Sequence, residues 1–226
     1  MRRVMKQFSS FMYSILAGVS ISIGGVVFLS LDNKVVGAIF FSLGLFAVCT
    51  FGFNLFTGKV GYLVNQGPAY LGFLFQVWLG NLVGAVITGY LIRATRIAGI
   101  AEKARGICDV KLNDSMLSIF ILSVFCNILM FIAVDGFKTN KHEIGKYIGI
   151  FMGVIVFILC GFEHCVANMF YFSVANVWSV HTFIYLLVMT LGNACGGFII
   201  PLARQLLQAA ESREEVPAVE NIKLAR

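Results

Sequence analysis

The chain has 226 residues, of which 59% are hydrophobic and only 12% are charged, and its formal net charge is +6 at pH 7. Soluble domains average about 45–50% apolar and about 25% charged residues. A water-soluble fold of this composition would expose a very large apolar surface. The sequence therefore predicts an integral membrane protein, whose first partner is the lipid bilayer, and gives no reason to expect a nucleic-acid partner.

Long stretches without Asp, Glu, Lys or Arg predict the spanning helices, because a bilayer crossing needs about 20 apolar residues. Their length excludes the alternating strands of a membrane barrel, so the fold class is all-α. The opening stretch is interpreted as a retained first helix rather than a signal peptide. In chain order, helices are expected at approximately 8–31, 35–58, 67–92, 114–134, 147–172 and 178–203.

The domain organisation follows from these spans. Residues 1–211 are expected to form one six-helix transmembrane domain, and residues 212–226 a polar cytoplasmic tail. The loops on the side of the termini carry more basic residues than those on the other side, which places both termini in the cytoplasm. The stretch 93–113 is an exception, since its basic residues fall on the outer side; it is either a cationic mouth for an anion or an ordinary solvated loop.

The six cysteines lie in or near apolar spans and show neither a disulfide framework nor paired metal-ligand spacing. They are interpreted as small buried hydrophobic residues. No metal or other cofactor is expected.

Two pairs of short motifs indicate an internal repeat. Residues 52–54 read Gly-Phe-Asn and residues 161–163 read Gly-Phe-Glu, while LGNLVGA at 79–85 corresponds to LGNACGG at 191–197. Because each half would contain an odd number of helices, the halves are expected to run in opposite directions, with interrupted helices 2 and 5 at the transport site. Chance matches in a Gly- and Phe-rich chain are the alternative, and the glycine pairs also suit close helix packing.

Several of these motifs resemble the formate/nitrite transporter family. The resemblance rests on GFEHCVANMF at 161–170, NLFTGKVG at 54–61, AGVSISIGG at 17–25, the Cys126-Asn127 pair and GNACGG at 192–197. It implies a homopentamer of aquaporin-like protomers with an inverted 3+3 repeat, each with its own pore for small monovalent anions such as formate, nitrite or hydrosulfide. It also implies a location in a bacterial cytoplasmic membrane.

His164 is the predicted centre of that pore. An ionisable residue within the membrane is a functional hypothesis by default, and a histidine can donate a hydrogen bond or a proton to a weakly basic anion. The alternative is a structural histidine bonded to a carbonyl group. The resemblance implies that Thr57 faces the ring across the pore, although its hydroxyl could instead cap the next helical segment.

Other polar residues are expected around this centre. Lys111 is expected to begin the fourth helix and to resemble the vestibule lysine of the family, or else to extend towards the membrane surface. Glu163 and Asn54 are interpreted as structural, with the Glu163 carboxylate bonded to free N–H groups at the breaks. Asn127 and Asn168 are expected to support the pore.

Apolar constrictions are predicted on both sides of the polar centre, by position relative to the histidine and the loop threonine. Each of these residues could equally be ordinary packing in a chain with 22 phenylalanines. The predicted constriction residues are Phe41, Leu45, Leu55, Phe56 and Phe157.

Two other classes of protein remain as rivals. A membrane enzyme could use Glu163 and His164 for acid–base chemistry, but no nucleophile, zinc motif or phosphate loop accompanies them, so an enzyme is not expected. A structural or signalling membrane protein would not need polar breaks in both halves. Within the family, Lys59 and Asn54 favour a hydrosulfide-selective efflux channel as the alternative to a formate or nitrite pore.

Overall fold

The computed structural model describes the backbone of residues 2–223 and the side chains of residues 4–212. Helices account for most of this range, which confirms the predicted all-helical membrane fold. A 3₁₀-helix, Val60–Asn65, joins the third and fourth α-helices. The α-helices are α1 (Arg2–Ser30), α2 (Lys34–Phe51), α3 (Phe56–Lys59), α4 (Ala69–Arg93), α5 (Ile100–Leu112), α6 (Met116–Thr139), α7 (Glu143–Leu159), α8 (Cys165–Ala175) and α9 (Val180–Lys223).

Within the described residues, five helices are long and apolar enough to cross a membrane, and these belong to α1, α2, α4, α6 and α9. The predicted fifth span is divided between α7, with 17 residues, and α8, with 11 residues. The predicted second span also stops early, because α2 ends at Phe51 and the chain turns into the short α3. Each break leaves backbone N–H and C=O groups without partners in their own helix. These groups must bond to other elements.

The two breaks begin in the same way. Gly52 follows α2 and Gly161 follows α7, and both have φ of +69°, a left-handed conformation that costs glycine little. The next residue then donates its N–H back across the turn, from Phe53 to Val48 O and from Phe162 to Phe157 O, each at 2.9 Å. This Schellman-type ending stops each helix at a defined residue.

Glycines bring the long helices into backbone contact. A Cβ on Gly84 of α4 would lie 2.2 Å from the carbonyl oxygen of Ile15 in α1. A Cβ on Gly196 of α9 would lie 2.1 Å from that of Val124 in α6. The predicted packing role of the glycine pairs fits this geometry, because only glycine permits such close approach in an apolar environment.

The stretch 93–113 contains the 13-residue helix α5, which the sequence analysis did not predict. Arg93 and Arg105 donate to the last carbonyl groups of α8, at 2.8 and 3.2 Å, where basic groups stabilise a helix C-terminus. Lys103 pairs with Asp32 at 2.7 Å. The interpretation of this stretch as a plain solvated loop is therefore wrong, since these basic side chains bind neighbouring elements.

The predicted boundary between residues 211 and 212 does not coincide with the end of a helix. Helix α9 passes through it and continues to Lys223. The side chains of 213–226 lie outside the described residues, so the division into a membrane domain and a cytoplasmic tail stays a prediction.

Candidate functional site

A buried asparagine in α4 holds the first break in place. The Asn81 side-chain oxygen accepts a hydrogen bond from the Phe56 N–H at 2.8 Å. Its amide nitrogen donates to the carbonyl oxygens of Asn54, at 2.8 Å, and Ser14, at 2.7 Å. The asparagine thus satisfies backbone groups that the interrupted helix leaves without partners, which is necessary in a site closed to water.

Asn193 of α9 makes the same three bonds at the second break. Its side-chain oxygen accepts from the Cys165 N–H at 2.9 Å, and its amide donates to the carbonyl oxygens of Glu163 and Ser123, both at 2.8 Å. Each of these three partners lies 109 residues after its counterpart at the first break. This duplicated set of contacts fits the predicted internal repeat, and the inverted arrangement of two three-helix halves stays a prediction.

Asn81 and Asn193 occupy matching positions in the repeated motifs, but no role was predicted for them. The Leu-Gly-Asn sequence that precedes and includes each asparagine was the signal that could have indicated a shared role. A buried amide can bond a donor and two acceptors at once, and an interrupted helix supplies such groups.

His164 lies at the second break, immediately before α8, and is 2% exposed. Its Nδ1 accepts a hydrogen bond from the Ala167 N–H at 3.1 Å, so the ring caps the helix. Its Nε2 lies 2.8 Å from Oγ1 of Thr57, which is fully buried. The structure thus brings together the two residues at the centre of the sequence-based hypothesis; their roles stay predictions.

Lys111 and Glu163 form a buried ion pair, which differs from the prediction for both residues. Lys111 lies in the last turn of α5, not at the start of the fourth long helix, because the unpredicted α5 ends there. Its ammonium lies 2.5 Å from the Glu163 carboxylate, which also accepts from the Asn168 amide at 2.8 Å. Glu163 therefore bonds a lysine and an amide rather than free backbone N–H groups, since a buried carboxylate requires a positive partner.

The remaining predicted polar residues take supporting positions. Asn54 donates to the Ser10 carbonyl and hydroxyl of α1, and Asn127 donates to the carbonyl oxygen of Asn193 at 2.6 Å. Asn168 also donates to the His164 carbonyl at 3.0 Å. Among the described residues, the side-chain oxygens of Asn127 and Asn168 are buried without a hydrogen-bond donor, so both remain available as acceptors.

A cavity of about 270 Å³, here named the Lys111 cavity, opens on one side of the histidine. One wall of it is Phe157, whose ring centroid lies 5.7 Å from that of His164 and 5.8 Å from that of Phe41. Phe28, Lys34 and Tyr171 also line this cavity and were not singled out in the sequence. Its main lining residues are Phe28, Lys34, Lys111, Phe157, Glu163 and Tyr171.

A smaller cavity of about 90 Å³, here named the Lys59 cavity, lies on the side of the loop threonine. Leu55, two residues before Thr57, is part of its wall, together with Cys49, Lys59 and Lys138. Each residue of the polar pair therefore has a cavity near it: Phe157, beside the His164 ring, lines one, and Leu55, two residues before Thr57, lines the other.

The predicted constriction residues do not all face these cavities. Phe157 and Leu55 line them, and Phe41 packs edge-on against Phe157. Leu45 and Phe56 are buried and line neither cavity. Their contribution to a constriction stays a prediction.

A buried polar pair with two cavities near it, in an all-helical membrane protein, is the arrangement expected of a channel or transporter. The family model for the formate/nitrite transporter matches residues 2–204. The chain belongs to the formate/nitrite transporter family, which confirms the resemblance found in the sequence.

Individual relatives agree with this assignment. The chain is 28% identical to the formate channel FocA of Haemophilus influenzae, over 86% of this chain and 84% of the relative. It is 31% identical to a probable formate transporter of Methanothermobacter thermautotrophicus, over 82% and 83%. It is 28% identical to the nitrite transporter NirC of Escherichia coli, over 82% and 78%.

The fold is similar to that of a solved pentameric formate channel with formate bound. The TM-score is 0.79 at 27% identity, and the match covers 91% of this chain and 98% of that one. These relatives are channels and transporters, in agreement with the prediction that the chain is not an enzyme.

Proposed function

We propose that this protein conducts small monovalent anions across the membrane, and that the anion passes beside the hydrogen-bonded pair of His164 and Thr57. The observation that carries the proposal is the 2.8 Å contact between these two buried side chains, whose neighbours Phe157 and Leu55 each line a cavity. The names of the relatives make formate and nitrite the first anions to test.

An anion that leaves water for this region loses several kcal/mol or more of hydration free energy unless polar groups replace its water. The N-terminus of α8 supplies about half a positive charge close to the histidine. The interaction must also stay weak enough for the ion to leave. A few hydrogen-bond donors in an otherwise apolar passage meet both requirements.

The hydrogen-bond pattern defines what the neutral ring can do. Nδ1 accepts from the Ala167 N–H, so the ring proton of neutral His164 lies on Nε2 and is donated to Thr57 Oγ1. The Thr57 hydroxyl proton then has no acceptor among the described residues and is free for an anion. A cationic ring would have to give up the bond from Ala167, and it could transfer a proton to the anion, whose neutral acid crosses apolar regions more easily.

The surrounding residues complete this proposal. Phe157 with Phe41, and Leu55 on the other side, limit the access of water to the polar pair, with Leu45 and Phe56 behind them. The unpartnered side-chain oxygens of Asn127 and Asn168 can accept hydrogen bonds from water or from a protonated substrate. Lys111 contributes little net charge because Glu163 neutralises it.

The assembly and orientation are part of the same proposal. The similarity to a pentameric formate channel supports a homopentamer in which each protomer has its own pore, and the duplicated breaks support an inverted repeat of two three-helix halves. The distribution of basic residues supports cytoplasmic termini, in a bacterial cytoplasmic membrane. In this orientation the Lys59 cavity faces the cytoplasm.

Purified protein in liposomes tests the function directly. We expect formate or nitrite uptake above that of protein-free liposomes, at pH 5.5 and at pH 7.5. Thr57→Ser keeps the hydroxyl group and should retain most of the flux, whereas Thr57→Val removes the hydroxyl group at nearly constant volume and should lower it strongly. Equal flux through both variants would contradict the role of Thr57, and no flux of any small anion at either pH would contradict the proposed function.

A hydrosulfide-selective efflux channel is the alternative within the same fold. It is favoured by the sequence NLFTGKVG at 54–61, in which Asn54 and Lys59 flank the loop. Adding hydrosulfide to the same substrate panel separates the two, since a hydrosulfide-selective channel would conduct it in preference to formate and nitrite.

A further inference from the structure

Two lysines, Lys59 and Lys138, are among the residues that line the Lys59 cavity. No carboxylate lines it among the described residues. The Lys111 cavity differs, because the Glu163 carboxylate lies within its wall and neutralises one of its lysines. The smaller cavity is therefore the more positive of the two.

The acidic group linked to Lys138 through Tyr62 already has a cationic partner of its own. The Asp135 carboxylate accepts from Arg204 at 2.6 Å and from the Tyr62 hydroxyl at 3.1 Å, so its charge is matched by the arginine. The Lys138 ammonium bonds to the Tyr62 hydroxyl oxygen at 3.0 Å and lies 4.3 Å from the centre of its ring. The tyrosine hydroxyl is uncharged, so this bond fixes the position of the lysine without neutralising it.

Lys59 is also without a carboxylate partner in the described part of the chain, although it is only partly exposed. Two like charges on the wall of a small, partly enclosed space repel one another more strongly than they would in bulk water. A single small anion between them would remove most of this repulsion.

We propose that the Lys59 cavity is a binding site for one small monovalent anion, held between Lys59 and Lys138 immediately outside Leu55. The site rests on the proposed function for the identity of its anion, but its positive potential can be measured without transport. An anion bound here is next to the Leu55 constriction, so the site raises the local anion concentration at that end of the pore.

Cys49 provides a probe inside the cavity, because it is a free cysteine in the cavity wall. The detergent-solubilised protein is treated with an anionic and with a cationic methanethiosulfonate reagent of similar size, after the exposed Cys160 and Cys195 have been replaced by serine. We expect the anionic reagent to modify Cys49 faster, relative to a free thiol in solution. Formate should slow this reaction at constant ionic strength.

Removal of either lysine charge should lower the ratio of the two rates. We expect a decrease of about fivefold to tenfold for Lys59→Gln and for Lys138→Gln, since each removes one elementary charge near the thiol. Lys59→Arg keeps the charge and should keep the ratio. Lys141→Gln, which removes an exposed lysine outside the cavity, serves as the matched control and should leave the ratio unchanged.

The proposal is overturned if both glutamine variants react with the wild-type ratio, or if formate gives no protection. If the Cys49 thiol is too enclosed to react, crystals soaked in bromide test the site by anomalous scattering. A bromide between Lys59 and Lys138 in the wild type, and none in Lys59→Gln, supports the site. An empty wild-type cavity contradicts it. Loss of this site with intact flux would leave the proposed function standing.

Discussion

Replacement of Asn193 by leucine tests how the second break is held together. Both side chains branch at Cγ and leucine is the larger, so the substitution removes three hydrogen bonds without creating a cavity. Ser123 O can keep its bond within α6, but the Cys165 N–H and the Glu163 carbonyl oxygen lose the only partner that the structure gives them. Each buried group left unpaired costs about 1–2 kcal/mol, and hydrogen bonds measured within membrane proteins are at the lower end of this range. We expect Asn193→Leu to destabilise the protein by about 2–4 kcal/mol.

Unfolding of the purified protein in mixed micelles of detergent and sodium dodecyl sulfate, followed by tryptophan fluorescence, measures this free energy. The other half of the chain provides the matched variant, because Asn81 makes the same three bonds at the first break. Asn81→Leu should therefore cost a similar amount. A loss below about 0.5 kcal/mol for Asn193→Leu would refute the reasoning, since it would place the break's stability in packing rather than in these hydrogen bonds.

Three further substitutions follow from the geometry and can be measured in the same unfolding assay. Gly84→Ala places a Cβ against a backbone carbonyl of α1 and should destabilise by about 1–3 kcal/mol, whereas Gly72→Ala in the same helix meets no atom within 4 Å and should be neutral or slightly stabilising. Lys111→Met should cost about 3–5 kcal/mol because it leaves Glu163 charged and buried, and adding Glu163→Gln should recover most of this loss. The hydrogen bond and charge of Lys103 hold the pKa of Asp32 below its usual value. The small stabilisation from the ionised carboxylate is therefore complete above pH 3.8 and is lost as the pH falls through the lowered pKa. Asp32→Asn should differ from the wild type in stability at neutral pH and become equal to it in strong acid.

Each of these three predictions has an outcome that would contradict it. Equal stability of the two alanine variants would show that the helices separate easily at the glycine contact. A double variant no more stable than Lys111→Met would show that the lysine acts through packing and not through its charge. A constant difference between Asp32→Asn and the wild type across the pH range would exclude the ion pair as its cause.

The sequence was sufficient for the membrane helices and for the central residues. Runs without charge predict the spans because lipid tolerates few charged side chains, and the polar breaks stand out within these runs. The paired motifs around Asn54 and Glu163 also located both breaks, since a turn glycine lies two residues before each of them. His164 and Thr57 were found together only because the resemblance placed them across one pore; no pattern in the sequence reports a contact between residues 107 positions apart.

The errors concern groups whose partners are distant in sequence. Lys111 was placed at the start of a long helix because α5 is short and polar, and it therefore lacks the apolar run that predicts a span. The partner of Glu163 was missed for the same reason, because the lysine comes from that helix. Lys138 was not singled out in the sequence, since its place in the same cavity wall as Lys59 appears only when α3 and α6 pack together.

The most direct test of the account is the pH dependence of formate uptake into proteoliposomes by the wild type and by His164→Asn. Exposed His142, at the start of α7, provides the control variant His142→Asn. We predict that the wild type and the control share one pH profile, and that His164→Asn changes this profile or the selectivity between formate and nitrite while its pentamer stays intact by size-exclusion chromatography. A His164→Asn protein with wild-type flux and selectivity at every pH would contradict the central role of the histidine.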